Sequence, residues 1–118
     1  MFPYERWKVY QLSLELREVA NELSSVTVAR AANDLNHLRR SSSSVTFNIG
    51  EGALRRNKGE KLQFYNIALG SVGECNAILT VLSRTHPNKK LVQHGRDLCQ
   101  HIAALLTNLI SSVEEKYD

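Results

Sequence analysis

Apolar residues recur at alternating steps of three and four along most of the chain, and this spacing leaves few folds open to it. In the first segment the pattern places Val9, Leu12, Leu16, Val19 and Leu23 on one face of a helix. Three further segments follow the same spacing. With only two prolines and six glycines in 118 residues, the chain also lacks the turn signals of a β-sandwich. The sequence therefore predicts an all-α protein.

The segment RRSSSSVTFNIGEG, residues 39–52, keeps this helical spacing although serine runs favour loops. Leu38, Ser42, Val45 and Ile49 continue one stripe through it without a change of phase. We therefore predict one helix over residues 27–54, whose small serine side chains let another helix approach closely. Serines compete for backbone hydrogen bonds and can bend a helix, so its middle is expected to be weak or kinked. The alternative is a loop that joins two short helices.

Breaks at residues 21–27, 54–61 and 83–90 divide the chain into four helical segments. Asn57 and Glu60 resemble a capping box at the start of the third helix. Long helices with short connections fold as an up-down antiparallel four-helix bundle. We predict one such domain over residues 1–118. The third and fourth helices carry two apolar stripes each, so they either occupy the centre of the bundle or bury the excess against other copies.

The sequence also predicts a cytoplasmic protein that has no contact with a membrane. No apolar signal segment is visible near the N-terminus, and the longest apolar run, residues 102–106, is too short to span a bilayer. Cys75 and Cys99 are expected to be buried, reduced thiols. His37 and His86 are isolated in the sequence and expected to be exposed.

Positive charge is concentrated in residues 30–61. This stretch holds seven lysines and arginines and three carboxylates, a net charge of +4, whereas the whole chain carries +3. Such clusters bind phosphates through charge and counterion release, so we expect RNA or DNA as a partner. The candidate contacts are Arg39, Arg40, Arg55, Arg56, Lys58 and Lys61. The alternative is a solvated basic turn, or a surface that meets acidic residues of another protein.

Five further polar or small residues are assigned structural roles: Asn48, Glu51, Gly52, Gly70 and Glu74. Asn48 is expected to be a buried amide with its hydrogen bonds satisfied, or a helix cap. Gly70, which lies inside a helix, is expected to mark a close contact of that helix with a neighbour. Arg39 or Arg40 could turn inward and pair with one of the two carboxylates, as a device that fixes packing.

Patterns typical of enzymes and metal sites are missing from the sequence. The glycines near residue 52 lack the spacing of a phosphate-binding loop, and the histidines and cysteines lack the spacing of a zinc site. We therefore expect a protein that is not an enzyme and needs no cofactor or metal. A rival hypothesis is a small enzyme that uses Glu51 or Glu74 with Asn48, which would require a deep pocket and a perturbed carboxylate pKa.

Two segments resemble a known family. LRRSSSSVTFNIGEG resembles a segment of the type L-R-R-A-A-x-S-I-P-S-N-I-A-E-G, and FYNIALGSVGEC resembles F-x-x-I-A-L-G-S-A-x-E. With the aromatic-rich start, Phe2 to Trp7, they resemble the four-helix-bundle proteins of bacterial 23S ribosomal RNA intervening sequences, which are similar to the accessory variability determinant proteins of diversity-generating retroelements. The resemblance covers nearly the whole chain. Thr46 and Gly50 depart from it, where the family usually has proline and alanine.

The resemblance implies a homo-oligomer, a pentameric ring or barrel, with a basic surface. In the retroelement branch that surface binds nucleic acid and a reverse transcriptase. We therefore predict a non-catalytic, homo-oligomeric adaptor that contacts RNA or DNA. The alternative is a protein–protein interaction module that docks a partner enzyme such as a reverse transcriptase, without direct binding of nucleic acid.

Overall fold

Four α-helices make up most of the structure, a computed structural model that describes residues 1–116. The helices are α1 Lys8–Ser24, α2 Ala32–Leu54, α3 Lys58–Thr85 and α4 Lys89–Lys116, and short 3-10 helices at Pro3–Arg6 and Ala29–Ala31 precede α1 and α2. Helix α1 packs against α2 and α4, and α3 packs against the same two helices. The predicted up-down four-helix bundle is confirmed. Residues 117 and 118 of the predicted domain lie outside the described residues.

The predicted apolar stripes form the core of this bundle. All five stripe residues of α1 are buried, and the stripe of α2 is buried from Ala31 to Gly52. Both stripes of α3 reach the same core, since Tyr65 and Leu79 come from one and Cys75 and Leu82 from the other, and each is at most 1% exposed. Much of the apolar surface of both α3 stripes is therefore buried in the core of a single chain.

The serine run is helical, as the spacing predicted, but α2 begins later than residue 27. Val28 has extended backbone angles, and Ala29–Ala31 form a 3-10 turn before α2 starts at Ala32. A 3-10 turn at a helix N-terminus continues the stripe, so Val28 and Ala31 satisfied the spacing without being α-helical. The predicted helix end at residue 54 is correct.

Serine hydroxyls join α2 to α3. The Ser41 hydroxyl, 3% exposed, donates a hydrogen bond to the Glu74 carboxylate. One helical turn later, the hydroxyl oxygens of Ser44 and Ser71 lie 2.8 Å apart and share a hydrogen bond. These groups replace apolar contacts at the interface, and buried polar groups need such partners.

Other hydroxyls of the same segment join α2 to α1. Thr46 Oγ1 donates to Ser13 Oγ at 3.1 Å, and both residues are buried. Arg17 Nε lies 3.3 Å from Ser43 Oγ, to which it donates. Three of the four serines and Thr46 therefore connect α2 to both neighbouring helices, while the buried Ser42 donates to the Arg39 carbonyl of its own helix. These bonds explain why a serine run persists in the middle of a helix.

Small residues allow close helix contact at Gly52. A Cβ atom there would lie 2.5 Å from Cε1 of the buried Tyr65 ring. At Gly70, predicted to mark a close contact, a Cβ would meet no atom of the described residues within 4 Å. That prediction therefore fails within one chain, because Gly70 lies on the exposed side of α3.

His86 is fully buried, contrary to the expectation that it is exposed. Its Nδ1 accepts from the Asn88 backbone N–H at 3.0 Å, so Nε2 carries the proton that it donates to Leu23 O at 2.9 Å. The imidazole thus joins the end of α1 to the turn before α4. This turn also carries an N-cap, since Asn88 Oδ1 accepts from the Leu91 N–H.

Candidate nucleic-acid interface

The structure separates the predicted basic contacts into two groups. Arg39 and Arg40 lie in the middle of α2, and Arg55, Arg56 and Lys58 lie at the turn between α2 and α3. At about 1.5 Å per residue, the 15 steps from Arg40 to Arg55 correspond to roughly 22 Å of helix. The cluster that is compact in the sequence is therefore not one patch on the molecule.

The cations at the turn are largely engaged in contacts within the chain. Arg55 Nη2 lies 2.7 Å from Glu51 Oε2, and its Cζ lies 4.9 Å from the centre of the Phe64 ring. Lys58 Nζ donates to the Glu114 carbonyl in α4 at 3.1 Å. These contacts hold the turn against its neighbours, so Glu51 is a partner of Arg55 and not of an inward-turned Arg39 or Arg40.

Lys61 does not lie on this surface. The residue is buried, and its Nζ donates to the carbonyl oxygens of Gly52 and Ala53 at 3.1 Å each. Burial lowers the pKa of its ammonium group from the ordinary value. The last carbonyls of a helix lack intrahelical partners, so Lys61 caps the C-terminus of α2. Its assignment as a nucleic-acid contact does not fit this position.

A large polar groove runs between α1 and α2, and we call it the α1–α2 groove. Its volume is about 770 Å³. The described residues that line it include three arginines and no carboxylate. The lining consists of Arg17, Asn21, Asn36, Arg39, Arg40, Ser42, Ser43, Ser44, Phe47 and Asn48. Two predicted contacts, Arg39 and Arg40, therefore meet here with a third arginine.

Arg17 belongs to this site but lies outside the charge cluster of the sequence. Its Cζ is 5.2 Å from the centre of the Phe47 ring, and its Nε is held by Ser43. Arg17 reaches the groove only because α1 packs beside α2. The count of charges over residues 30–61 could therefore not identify it. A guanidinium over an aromatic ring is a stabilising cation–π contact.

Asn48 lies at the groove as a half-buried amide bonded to its own helix. Its Nδ2 donates to Ser44 O at 2.8 Å and to Ser44 Oγ at 3.1 Å. Among the hydrogen bonds of residues 1–116, none uses its Oδ1, which therefore remains an acceptor for a ligand.

The carboxylate of Glu74 lies near Arg40 but is not buried with an arginine. Both Arg39 and Arg40 are exposed, so the predicted inward-turned arginine is wrong. Glu74 Oε1 instead accepts from Ser41 and lies 3.3 Å from His37 Nε2. The hydrogen bond from Ser41, followed by His37 and Arg40, lowers the pKa of this carboxyl. A carboxyl with a lowered pKa is a weak base.

The two cysteines are buried and free, as expected. Burial raises the pKa of Cys99 to about 12 and raises the pKa of Cys75 as well, so both thiols stay protonated near neutral pH. Across residues 1–116, His, Cys, Asp and Glu side chains form no group that could hold a metal ion. In the same range, no helix is both long and apolar enough to cross a membrane.

The sequence matches a known protein family, and the fold matches a solved structure. A family model described as 23S rRNA-intervening sequence protein matches residues 5–108. A crystal structure from Bacteroides thetaiotaomicron, of a protein with unknown function from the S23 ribosomal protein family, superposes with a TM-score of 0.78 at 24% identity. The match covers 87% of this chain and 95% of the other. No curated protein matched. At this identity the likeness shows the shared fold.

Proposed function

This chain belongs to the 23S rRNA-intervening sequence protein family, and from that premise we propose that it is a non-catalytic, homo-oligomeric adaptor that binds RNA or DNA. The observation that carries the proposal is the α1–α2 groove, where Arg17, Arg39 and Arg40 meet among described lining residues without a carboxylate. Guanidinium groups present a planar set of donors that matches phosphate oxygens. The groove therefore offers fixed positive charge and hydrogen-bond donors to a phosphate chain.

The charge of the groove is better suited to a polyanion than the charge of the α2–α3 turn. At the turn, Arg55 is paired with Glu51 and Lys58 is bonded to a backbone carbonyl. In the groove, Arg39 and Arg40 are exposed and neither forms an ion pair among residues 1–116, although Arg40 lies near Glu74. At the turn, only Arg56 is comparably exposed without such a contact. Each neutralised phosphate of a single strand contributes about −0.7 to the slope of log affinity against log salt, so three contacts give a slope of about −2.

The outer face of α3 supports the homo-oligomer. Ile67, Gly70, Ala77 and Val81 are all exposed and share one face of this helix with the half-exposed side chain of Glu74. Ile67 and Val81 are 43% and 49% exposed, and the side of Gly70 is open. Apolar and small residues that line up on an exposed helix face mark an interaction surface. In the pentamer that we propose, copies of the groove repeat, which raises avidity for a long polyanion.

We propose a role without catalysis because the two candidate catalytic carboxylates, Glu51 and Glu74, already have partners. Glu51 is paired with Arg55, and Glu74 accepts a hydrogen bond from Ser41. The lowered pKa of Glu74 makes it a poor general base near neutral pH, where a base is most effective with a pKa close to the working pH.

Fluorescence anisotropy with single-stranded RNA, structured RNA and duplex DNA tests the proposal at low and moderate salt. One variant carries Arg17→Gln, Arg39→Gln and Arg40→Gln, and we call it the groove variant. The matched control carries three neutral substitutions at the α2–α3 turn: Arg55→Gln, Arg56→Gln and Lys58→Gln. Both variants lose three positive charges, so a difference between them reports position and not net charge.

We expect the intact protein to bind in a salt-dependent manner, the groove variant to bind much more weakly, and the turn variant to bind nearly as well as the intact protein. Equal weakening of both variants would show that the groove has no special role. If the intact protein binds no nucleic acid at low salt, the adaptor proposal is wrong. The protein-docking alternative, with a partner enzyme on the same basic surface, would then take its place. Light scattering coupled to gel filtration gives the subunit count.

A further inference from the structure

We propose that Phe47 is a stacking platform for an unpaired base, so that the α1–α2 groove selects single-stranded over duplex nucleic acid. This inference rests on the proposed function and names the class of ligand that the groove takes. It follows from an aromatic ring that stays largely exposed although Arg17 of α1 packs against it.

Phe47 is 59% exposed, although the residues directly before it are inside the bundle. Val45 is fully buried, and Thr46 is 2% exposed and bonded to α1. Helix geometry therefore turns Phe47 away from the core and toward the groove, which it lines. Burial of an aromatic ring stabilises a fold only where water is excluded, so an exposed ring contributes little of that stabilisation here.

The ring is oriented by a neighbour and still accessible. The Arg17 guanidinium lies 5.2 Å from the ring centre, and its Nε is fixed by Ser43, one turn before Phe47 on α2. Arg17 covers one face of the ring, and Phe47 remains 59% exposed with the arginine in place, so the stacking that we propose uses the opposite face.

Polar groups beside the ring suit the edge of a base. Asn48, the residue after Phe47, keeps its Oδ1 free among the hydrogen bonds of residues 1–116, and the amide of Asn21 lines the same groove. The amide of Asn36 lines the groove about three helical turns before the ring. Amides offer both donors and acceptors to base edges. The groove volume of about 770 Å³ lies within the range of about 300–1,000 Å³ of sites that hold small ligands.

The combination distinguishes single strands from duplexes. In a duplex the faces of the bases are covered by their neighbours, so a protein ring cannot stack on them without unstacking the helix. An aromatic platform with flanking arginines is the arrangement by which proteins bind unpaired bases with little sequence preference. Arginine contacts alone would hold the phosphates of either form.

The test compares an unstructured RNA with a duplex of equal length, each titrated against the intact protein, Phe47→Leu and Phe47→Trp. Leu54→Ala is the matched control, since Leu54 lies on the same helix and is 53% exposed. We expect Phe47→Leu to weaken binding of the single strand about tenfold and Phe47→Trp to keep it, with duplex affinity changed less than about twofold. Leu54→Ala should change neither affinity.

The outcomes separate this inference from the proposed function. If Phe47→Leu leaves single-strand affinity unchanged while the groove variant loses it, the groove binds phosphates and the stacking platform is refuted. The same conclusion follows if Phe47→Leu weakens single-strand and duplex binding equally. Absence of binding to either form by the intact protein would instead overturn the proposed function itself. Circular dichroism of each variant confirms that the fold is intact.

Discussion

Alanine at two glycines of neighbouring helices should change stability in opposite directions. At Gly52, a new Cβ would lie 2.5 Å from Cε1 and 2.7 Å from Cδ1 of Tyr65. The Tyr65 ring is 1% exposed, so it cannot move into solvent to make room. At Gly70 the same methyl group would meet no atom of the described residues within 4 Å. The chain thus contains its own matched control for the close contact.

The magnitudes follow from two opposing effects. Overpacking a dense core costs about 1–3 kcal/mol, and contacts this short favour the upper end of that range. Alanine is favoured over glycine in a helix by about 1 kcal/mol, which offsets part of the cost at Gly52. We therefore expect Gly52→Ala to destabilise the protein by about 2 kcal/mol. Gly70→Ala should stabilise a single chain by up to about 1 kcal/mol.

Urea unfolding followed by circular dichroism measures both variants. The midpoint should fall for Gly52→Ala and rise for Gly70→Ala relative to the intact protein. Equal or raised midpoints for Gly52→Ala would show that the contact with Tyr65 does not limit side-chain size. The series is repeated at two protein concentrations. A concentration-dependent loss for Gly70→Ala would place this residue in the contact between copies.

Four further outcomes follow from the buried Lys61, His86 and cysteines and from the half-exposed Glu74. Lys61→Met should lower the free energy of unfolding by about 2 kcal/mol, since two helix carbonyls lose a charged donor, and should leave nucleic-acid affinity unchanged in anisotropy. His86→Ala should cost about 3 kcal/mol in urea unfolding, because it leaves a cavity and two unpaired backbone groups. Cys75 and Cys99 should react with a thiol reagent at the rate of global or local opening, and rapidly in urea. The pKa of the Glu74 carboxyl is lowered from its ordinary value of 4.5. Ionised Glu74 therefore stabilises the folded protein above pH 4.5, and this contribution is lost as the pH falls through the lowered pKa. Glu74→Gln should flatten the acid side of a plot of unfolding free energy against pH.

The helices and their core were predictable because the same spacing is repeated many times along each helix. A single misplaced residue changes little in such a pattern, so the serine run was recognised as helical from its phase alone. The start of α2 was missed for the same reason, since Val28 and Ala31 obey the spacing in a 3-10 turn. Asn57 was recognised because a cap depends on residues close in sequence, and its Oδ1 does accept from Glu60 N at 2.8 Å.

The candidate site was only partly predictable, because it depends on contacts between segments distant in sequence. The count of charges found Arg39 and Arg40 but also included Lys61, whose ammonium group turns inward to the end of α2. It missed Arg17, which reaches the groove from another helix. The burial of His86 was equally invisible, since its two partners lie in the turn and at the end of α1.

The link between His86 and Leu23 has a consequence for the order of events during synthesis. The two residues are 63 positions apart, and α1 has α4 as one of its two neighbours. A nascent chain can pair α1 with α2 early, but one side of α1 stays uncovered until the last helix has been made. Contacts of such high sequence separation form late and slow folding. We expect the exposed side of α1 to be the part of the growing chain that most needs protection from aggregation.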